Sequence, residues 1–312
     1  MTKHSPAFVT VAVLVLAAIS VPGAAQSHHW DVNVGVGPMR GHTTYQIGGT
    51  VRMAEDVEEL WFPISELEFP INVLQASADT SLMLGKNKRL VVSLGGTINA
   101  TSDAGKMEDS DWTTSWNPNQ LDIYSESDAE LDMLMLNADI LYRFLRTKLF
   151  SLGAGAGFLY QELNYECFDF VQWYPSSPWW GYDYGNGLGI IYDITYYVPY
   201  MQVRADMSLL KERLQIGVNV AVVPYLTAED YDDHVLRDIT SDGDYDGGGA
   251  MGSLEATFHF ARHWFVEGRL EGRVFSADGT QKTYVNDEWS HDIDAEVTSG
   301  QGSFTLAVGA SL

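Results

Sequence analysis

The sequence predicts an all-β fold, specifically a ten-stranded antiparallel transmembrane β-barrel with long extracellular loops and short periplasmic turns. Three observations carry that expectation. The chain opens on what reads as an export signal, apolar and polar residues then alternate with period two in segment after segment, and the connections between segments alternate short and long.

Residues 1–25 hold a basic start (Lys3, His4), an apolar run over 7–21 and small residues at Pro22-Gly23-Ala24-Ala25. This is the layout of a signal peptide followed by a cleavage site, and it leaves 26–312 as a single barrel domain. No other apolar run is long enough for a membrane-spanning helix. The one cysteine, Cys167, permits neither an internal disulfide nor a cysteine-based zinc site. An exported chain without disulfides points to the bacterial periplasm or outer membrane. With 46% hydrophobic residues the chain is too apolar to be disordered. Its 42 acidic residues against 18 basic ones give a net charge of -24, which argues against nucleic acid as a partner, because phosphate neutralisation needs an excess of Lys and Arg.

The segment 264–275 shows the alternation best. Trp264, Val266, Leu270 and Val274 share one face, with Gly268 and Gly272 between them, while Glu267, Arg269, Glu271 and Arg273 share the other. A lipid-facing barrel with a polar lumen puts the apolar set outside; a soluble sandwich would reverse the two faces. The pattern recurs around 200–209, 215–222, 253–260, 90–99 and 304–312. Ten strands result, at roughly 30–48, 64–85, 88–102, 125–146, 149–171, 188–210, 214–237, 247–262, 264–285 and 300–312. Short turns then fall at 85–88, 146–148, 211–213 and 262–263, and long loops at 49–63, 103–124, 172–187, 238–246 and 286–299. Several strands exceed the ~9–11 residues that cross a bilayer, so the barrel should stand well above the outer leaflet. A ten-stranded barrel with a filled, charged lumen is too narrow for a general pore.

Chemistry is therefore expected at the extracellular rim, where the acidic residues crowd. Most of that acid reads as a solvated surface. A histidine flanked by carboxylates is a candidate general base, since the neighbouring charge orients the ring and supports its imidazolium form. Asp232-Asp233-His234 supplies such a pair, because positions i and i+2 of a strand point to one side. A run that opens like a calcium loop, Asp242-Gly243-Asp244-Tyr245-Asp246-Gly247, has Ser253 where the twelfth position needs Glu, so no metal is expected. The aromatic run Trp173-Tyr174-Pro175 through Trp179, Trp180, Tyr182 and Tyr184 reads first as a packed extracellular loop. Its second reading is a surface for stacking on sugars or peptide side chains.

Two motifs together resemble the omptin family of outer-membrane endopeptidases. Met107-Glu108-Asp109-Ser110-Asp111-Trp112, followed by Ser115-Trp116-Asn117-Pro118, is similar to the family's loop with an aspartate pair. Asp230-Tyr231-Asp232-Asp233-His234-Val235-Leu236-Arg237-Asp238 is similar to its segment with an aspartate-histidine pair. Weaker echoes are Ser65-Glu66-Leu67-Glu68, Tyr160-Gln161-Glu162 and Pro199-Tyr200. The resemblance implies that Asp109 and Asp111 hold the attacking water, that His234 takes its proton and that Asp232 fixes the imidazole. It implies no acyl-enzyme and no metal. It also implies binding of a basic side chain by two acids; Asp230 retains one, and His42 stands where the other aligns. Omptins depend on lipopolysaccharide, so that lipid is the expected partner and activator. Tyr160 and Glu162 of its site remain, whereas Asn164 and Thr195 replace two arginines. The function implied is an aspartic-type endopeptidase of the outer membrane acting on cationic peptides or surface proteins. The alternative is a barrel of the same fold that binds a surface partner without catalysis.

Overall fold

The computed structural model describes residues 29–85, 87–113 and 117–312. The signal peptide expected at 1–25 and the motif residues Ser115 and Trp116 lie outside them. The described residues form fourteen strands: β1 (His29–Arg52), β2 (Val57–Glu59), β3 (Ser65–Pro70), β4 (Val73–Leu84), β5 (Leu90–Asn99), β6 (Asp103–Asp111), β7 (Ile123–Arg146), β8 (Phe150–Trp173), β9 (Tyr182–Tyr184), β10 (Leu188–Leu209), β11 (Leu214–His234), β12 (Ile239–His259), β13 (Trp264–Val285) and β14 (Glu288–Ser311). The pairings are antiparallel, and β1 bonds to β14, which closes the sheet into a barrel.

Fourteen strands replace the expected ten for a local reason. Two of the ten staves are each broken in half. The first breaks at Pro70-Ile71-Asn72, where proline has no N–H to give the ladder; the second breaks over 100–102. Near the membrane the ring therefore runs through β4 and β5. Toward the extracellular end it runs through β3 and β6 instead. The short β2 and β9 pair only with β1 and β8. At either level the circumference is ten staves.

Two of the expected long loops are mostly strand. Segment 239–246 belongs to β12 and pairs with β11 and β13, and 288–299 belongs to β14. The connections there shrink to 235–238 and 286–287, and Asn286 and Asp287 carry the positive φ values, 52° and 65°, of a tight hairpin turn. Above the membrane both faces of a strand meet polar surroundings or packed rim, so acids occupy the outside. Asp242, Asp244 and Asp246 are exposed while Ser241, Gly243 and Tyr245 are buried. What reads as an acidic loop is an alternating strand whose outer face has changed from apolar to acidic.

Burial settles which face is inside. Leu270 and Val274 are 51% and 57% exposed on the outer wall, and Glu267 is 9% exposed in the lumen. The lumen's lower half is an ion-pair lattice. Arg204 bonds to Asp206 at 2.7 Å and to Glu255, while Arg269 reaches Glu267 at 2.8 Å, Asp79 at 3.4 Å and Glu255 at 3.5 Å. A glutamine bridge, Gln161 to Gln301 at 3.0 Å, lies above it. An aromatic plug of Tyr45, Phe69, Tyr165, Tyr192 and Tyr196 fills the bore below the rim, with Phe69 stacked on Tyr192 at 4.3 Å. The functional rim rests on that plug.

Candidate active site

The aspartate pair sits on β6. Strand geometry turns Met107, Asp109 and Asp111 to the inside. Asp109 pairs in register with Leu67 of β3 and Ser125 of β7, and the Ser125 hydroxyl donates to its Oδ2 at 3.4 Å. Asp111 lies opposite Ser65. On β11 the same alternation turns Asp230, Asp232 and His234 inward. Asp232 lies between Tyr192 of β10 and Ser241 of β12, and its Oδ2 is 3.1 Å from His234 Nε2. A neutral imidazole that donates through Nε2 keeps its Nδ1 lone pair as the proton acceptor.

The two motifs meet across the mouth of the barrel. The charges of His234, Arg237 and Asp232 all act on Asp109, and those of His234 and Arg237 act on Asp111. Burial, and then the neighbouring Asp111 carboxylate, push Asp109 well above the usual carboxylate range. Burial also raises Asp111. Burial lowers His234, but the charge and hydrogen bond of Asp232 outweigh it, and the imidazole titrates above its ordinary value. Asp109 Oδ1 and Asp232 Oδ1 are buried without a hydrogen-bond partner in the protein. Such acceptors call for a donor, and a water molecule or a substrate amide would supply one.

Asp230 lies one inward position below Asp232. Its Oδ2 accepts hydroxyls from Tyr245 at 2.9 Å and Tyr192 at 3.1 Å, and burial pushes it up to about 7. His42 does not join this group: it is exposed on the outer wall, level with Gly300 of β14, while Thr43 and Tyr45 take the inward positions of β1. Tyr45 is the β1 side chain that feels Asp232, Asp230 and Asp109. On the outer face of β8, Tyr160 donates to Glu162 at 2.9 Å and Asn164 donates to it at 3.1 Å, with Thr195 opposite on β10.

Sequence reasoning missed Tyr45, Tyr192, Tyr245 and Arg237 as members of the site. Tyr45 and Tyr192 share the site only through barrel closure, and Tyr245 lies in the segment read as a loop. Arg237 was open to detection as the one base inside the acidic motif. Among the described residues no three His, Cys, Asp or Glu side chains converge on a metal position. The extended β12 holds Asp242, Asp244 and Asp246 outward in a row, which no calcium loop does.

A membrane-spanning barrel that gathers an aspartate pair and an aspartate-histidine pair at its mouth defines the class, a bacterial outer-membrane barrel with an ionisable cluster at one end. The chain belongs to the omptin family, a family of outer-membrane proteases, whose model matches residues 48–302. Among solved structures the fold resembles that of outer membrane protease OmpT from Escherichia coli, with a TM-score of 0.79 and 17% identity over 93% of this chain and 99% of that one. Outer membrane protein OprG from Pseudomonas aeruginosa also matches, with a TM-score of 0.42 and 8% identity over 92% of this chain and 97% of that one. Curated protein sequences show no match.

Proposed function

We propose that the protein is an outer-membrane endopeptidase that hydrolyses peptide bonds at the extracellular rim, preferring cationic peptides or surface proteins. The observation that carries this reading is the shared neighbourhood of Asp109, Asp111, Asp232 and His234, with His234 held 3.1 Å from Asp232. Asp109 and Asp111 orient a water molecule from one wall of the groove. His234 takes its proton as the oxygen attacks the scissile carbonyl, Asp232 stabilises the imidazolium, and the proton then passes to the departing amine. Water is the nucleophile, so no acyl-enzyme forms. Asp230 and the acidic rim favour basic side chains by charge. Lipopolysaccharide acts as activator through the outer-face group around Tyr160 and Glu162.

The test uses barrel refolded with and without lipopolysaccharide, a quenched peptide library with basic and acidic sequences, and cut sites read by mass spectrometry. His234→Ala and Asp109→Ala should each lower the cleavage rate by about 10²–10⁴-fold while the barrel keeps its heat-modifiable migration. Cleavage that survives in either variant would sink the mechanism, and a folded wild type that cuts nothing would sink the activity.

A further inference from the structure

The ring order places the aspartate pair and the aspartate-histidine pair on staves four apart. Along the extracellular end the order is β1, β3, β6, β7, β8, β10, β11, β12, β13, β14. A line across the mouth from β6 to β11 therefore divides the rim into two arcs, one centred on β8 and the other on β14. A polypeptide laid between the two pairs leaves over the connection from β8 to β10.

That connection is built for contact. It exposes Trp180 (66%), Tyr182 (61%) and Tyr184 (69%) to solvent. Large aromatics left this open mark an interaction surface, and strand alternation divides them, with Tyr182 and Tyr184 beside Trp173 on one face and Trp180 beside Tyr174 and Asp183 on the other. They are not loosely held. Trp180 meets Tyr174 edge-on at 5.1 Å, and Tyr182 lies 6.0 Å from Trp173 and 6.4 Å from Tyr184. The Tyr174 hydroxyl donates to Asp183 at 2.5 Å and accepts from Gln172 at 2.9 Å, and Gly187 N–H is tied to Asp169 at 2.7 Å. The surface lies within electrostatic reach of the site. Arg237, whose charge acts on Asp109, Asp111 and His234, acts on Tyr174 as well.

We infer that the 173–184 hairpin is a subsite for the flank of a polypeptide substrate, seating Lys or Arg side chains on the Trp180 and Tyr174 rings beside Asp183. The inference rests on the endopeptidase reading above. Two features choose a cationic polypeptide as the occupant: the hairpin leaves β8, midway along the arc between the two pairs, and the Trp180 and Tyr174 rings with the adjacent Asp183 carboxylate attract a cation. Fixed rings also lose little freedom on binding.

The experiment compares a short peptide covering only the scissile bond with the same peptide extended on either side by a lysine-rich flank. In Tyr174→Ala/Trp180→Ala the extended peptide should lose about tenfold in kcat/KM, carried by KM, and the short one should lose nothing. Equal losses on both peptides, or no loss on either, overturn the subsite. Tryptophan fluorescence of the full barrel in a His234→Ala background reads binding without cleavage. There the extended peptide should give a saturable change that the aromatic double variant lacks. A response to a soluble polysaccharide and none to the peptide overturns the assignment of occupant. If the wild type cuts neither peptide, the endopeptidase reading fails and the titration alone decides the subsite.

Discussion

The Asp232 carboxylate does two things to one imidazole. It fixes the ring through the 3.1 Å contact, and its charge raises the pKa against the pull of burial. A general base works only when neutral, so on the proposed mechanism the rate should fall as pH drops through the raised His234 pKa. Asp232→Asn removes the charge and keeps the shape. The His234 pKa then falls, and the acidic limb of the kcat/KM profile should move to lower pH while the plateau drops. A limb that stays in place would show that another group, such as the Asp109-Asp111 pair, sets it. At this scale the sequence was informative: Asp109, Asp111, Asp232 and His234 were each visible as i, i+2 pairs. Tyr45 was not, because a single side chain without a partner in its own segment gives no spacing to read.

At the level of elements, the aspartate pair depends on the register of β6. The strand enters after an irregularity between Asp103 and Gly105, and Gly105 has φ +113°. Only glycine occupies that region without strain. Gly105→Val should cost about 1–3 kcal/mol locally and push β6 toward a slipped register. A slip of one residue turns Asp109 and Asp111 to the outer wall. The expected outcome is a barrel that still migrates as folded and cleaves far more slowly, and wild-type activity in this variant would contradict it. The lower strands were legible because lipid demands an apolar outer face. The upper parts of β12 and β14 were not, since above the membrane the outer face turns acidic and the alternation no longer separates apolar from polar. The splits at 70–72 and 100–102 were equally hidden, because the halves of a broken stave keep one inside and one outside.

For the molecule as a whole, stability and function occupy different storeys. The aromatic plug separates the rim from the ion-pair lattice below, where Glu255 serves both Arg204 and Arg269. Removing one partner from a buried network leaves a charge uncompensated, which typically costs about 3–5 kcal/mol. Glu255→Ala should therefore lower the temperature at which the folded band is lost on heating by several degrees. It should leave kcat/KM of the folded fraction unchanged at ordinary temperature. An unaltered melting temperature would show that the lattice is not holding the barrel together, and a selective loss of activity would show that the two storeys communicate.

By itself the sequence determined the barrel and the two acidic motifs, because these follow from local periodicity and spacing that a single strand carries. Closure of the sheet decided the rest. It set β6 across from β11, filled the bore beneath them with tyrosines from three separate strands, and left His42 outside. Those relations link residues more than a hundred positions apart, and their physical cause is the register of ten staves hydrogen-bonded into a ring, which no one segment encodes.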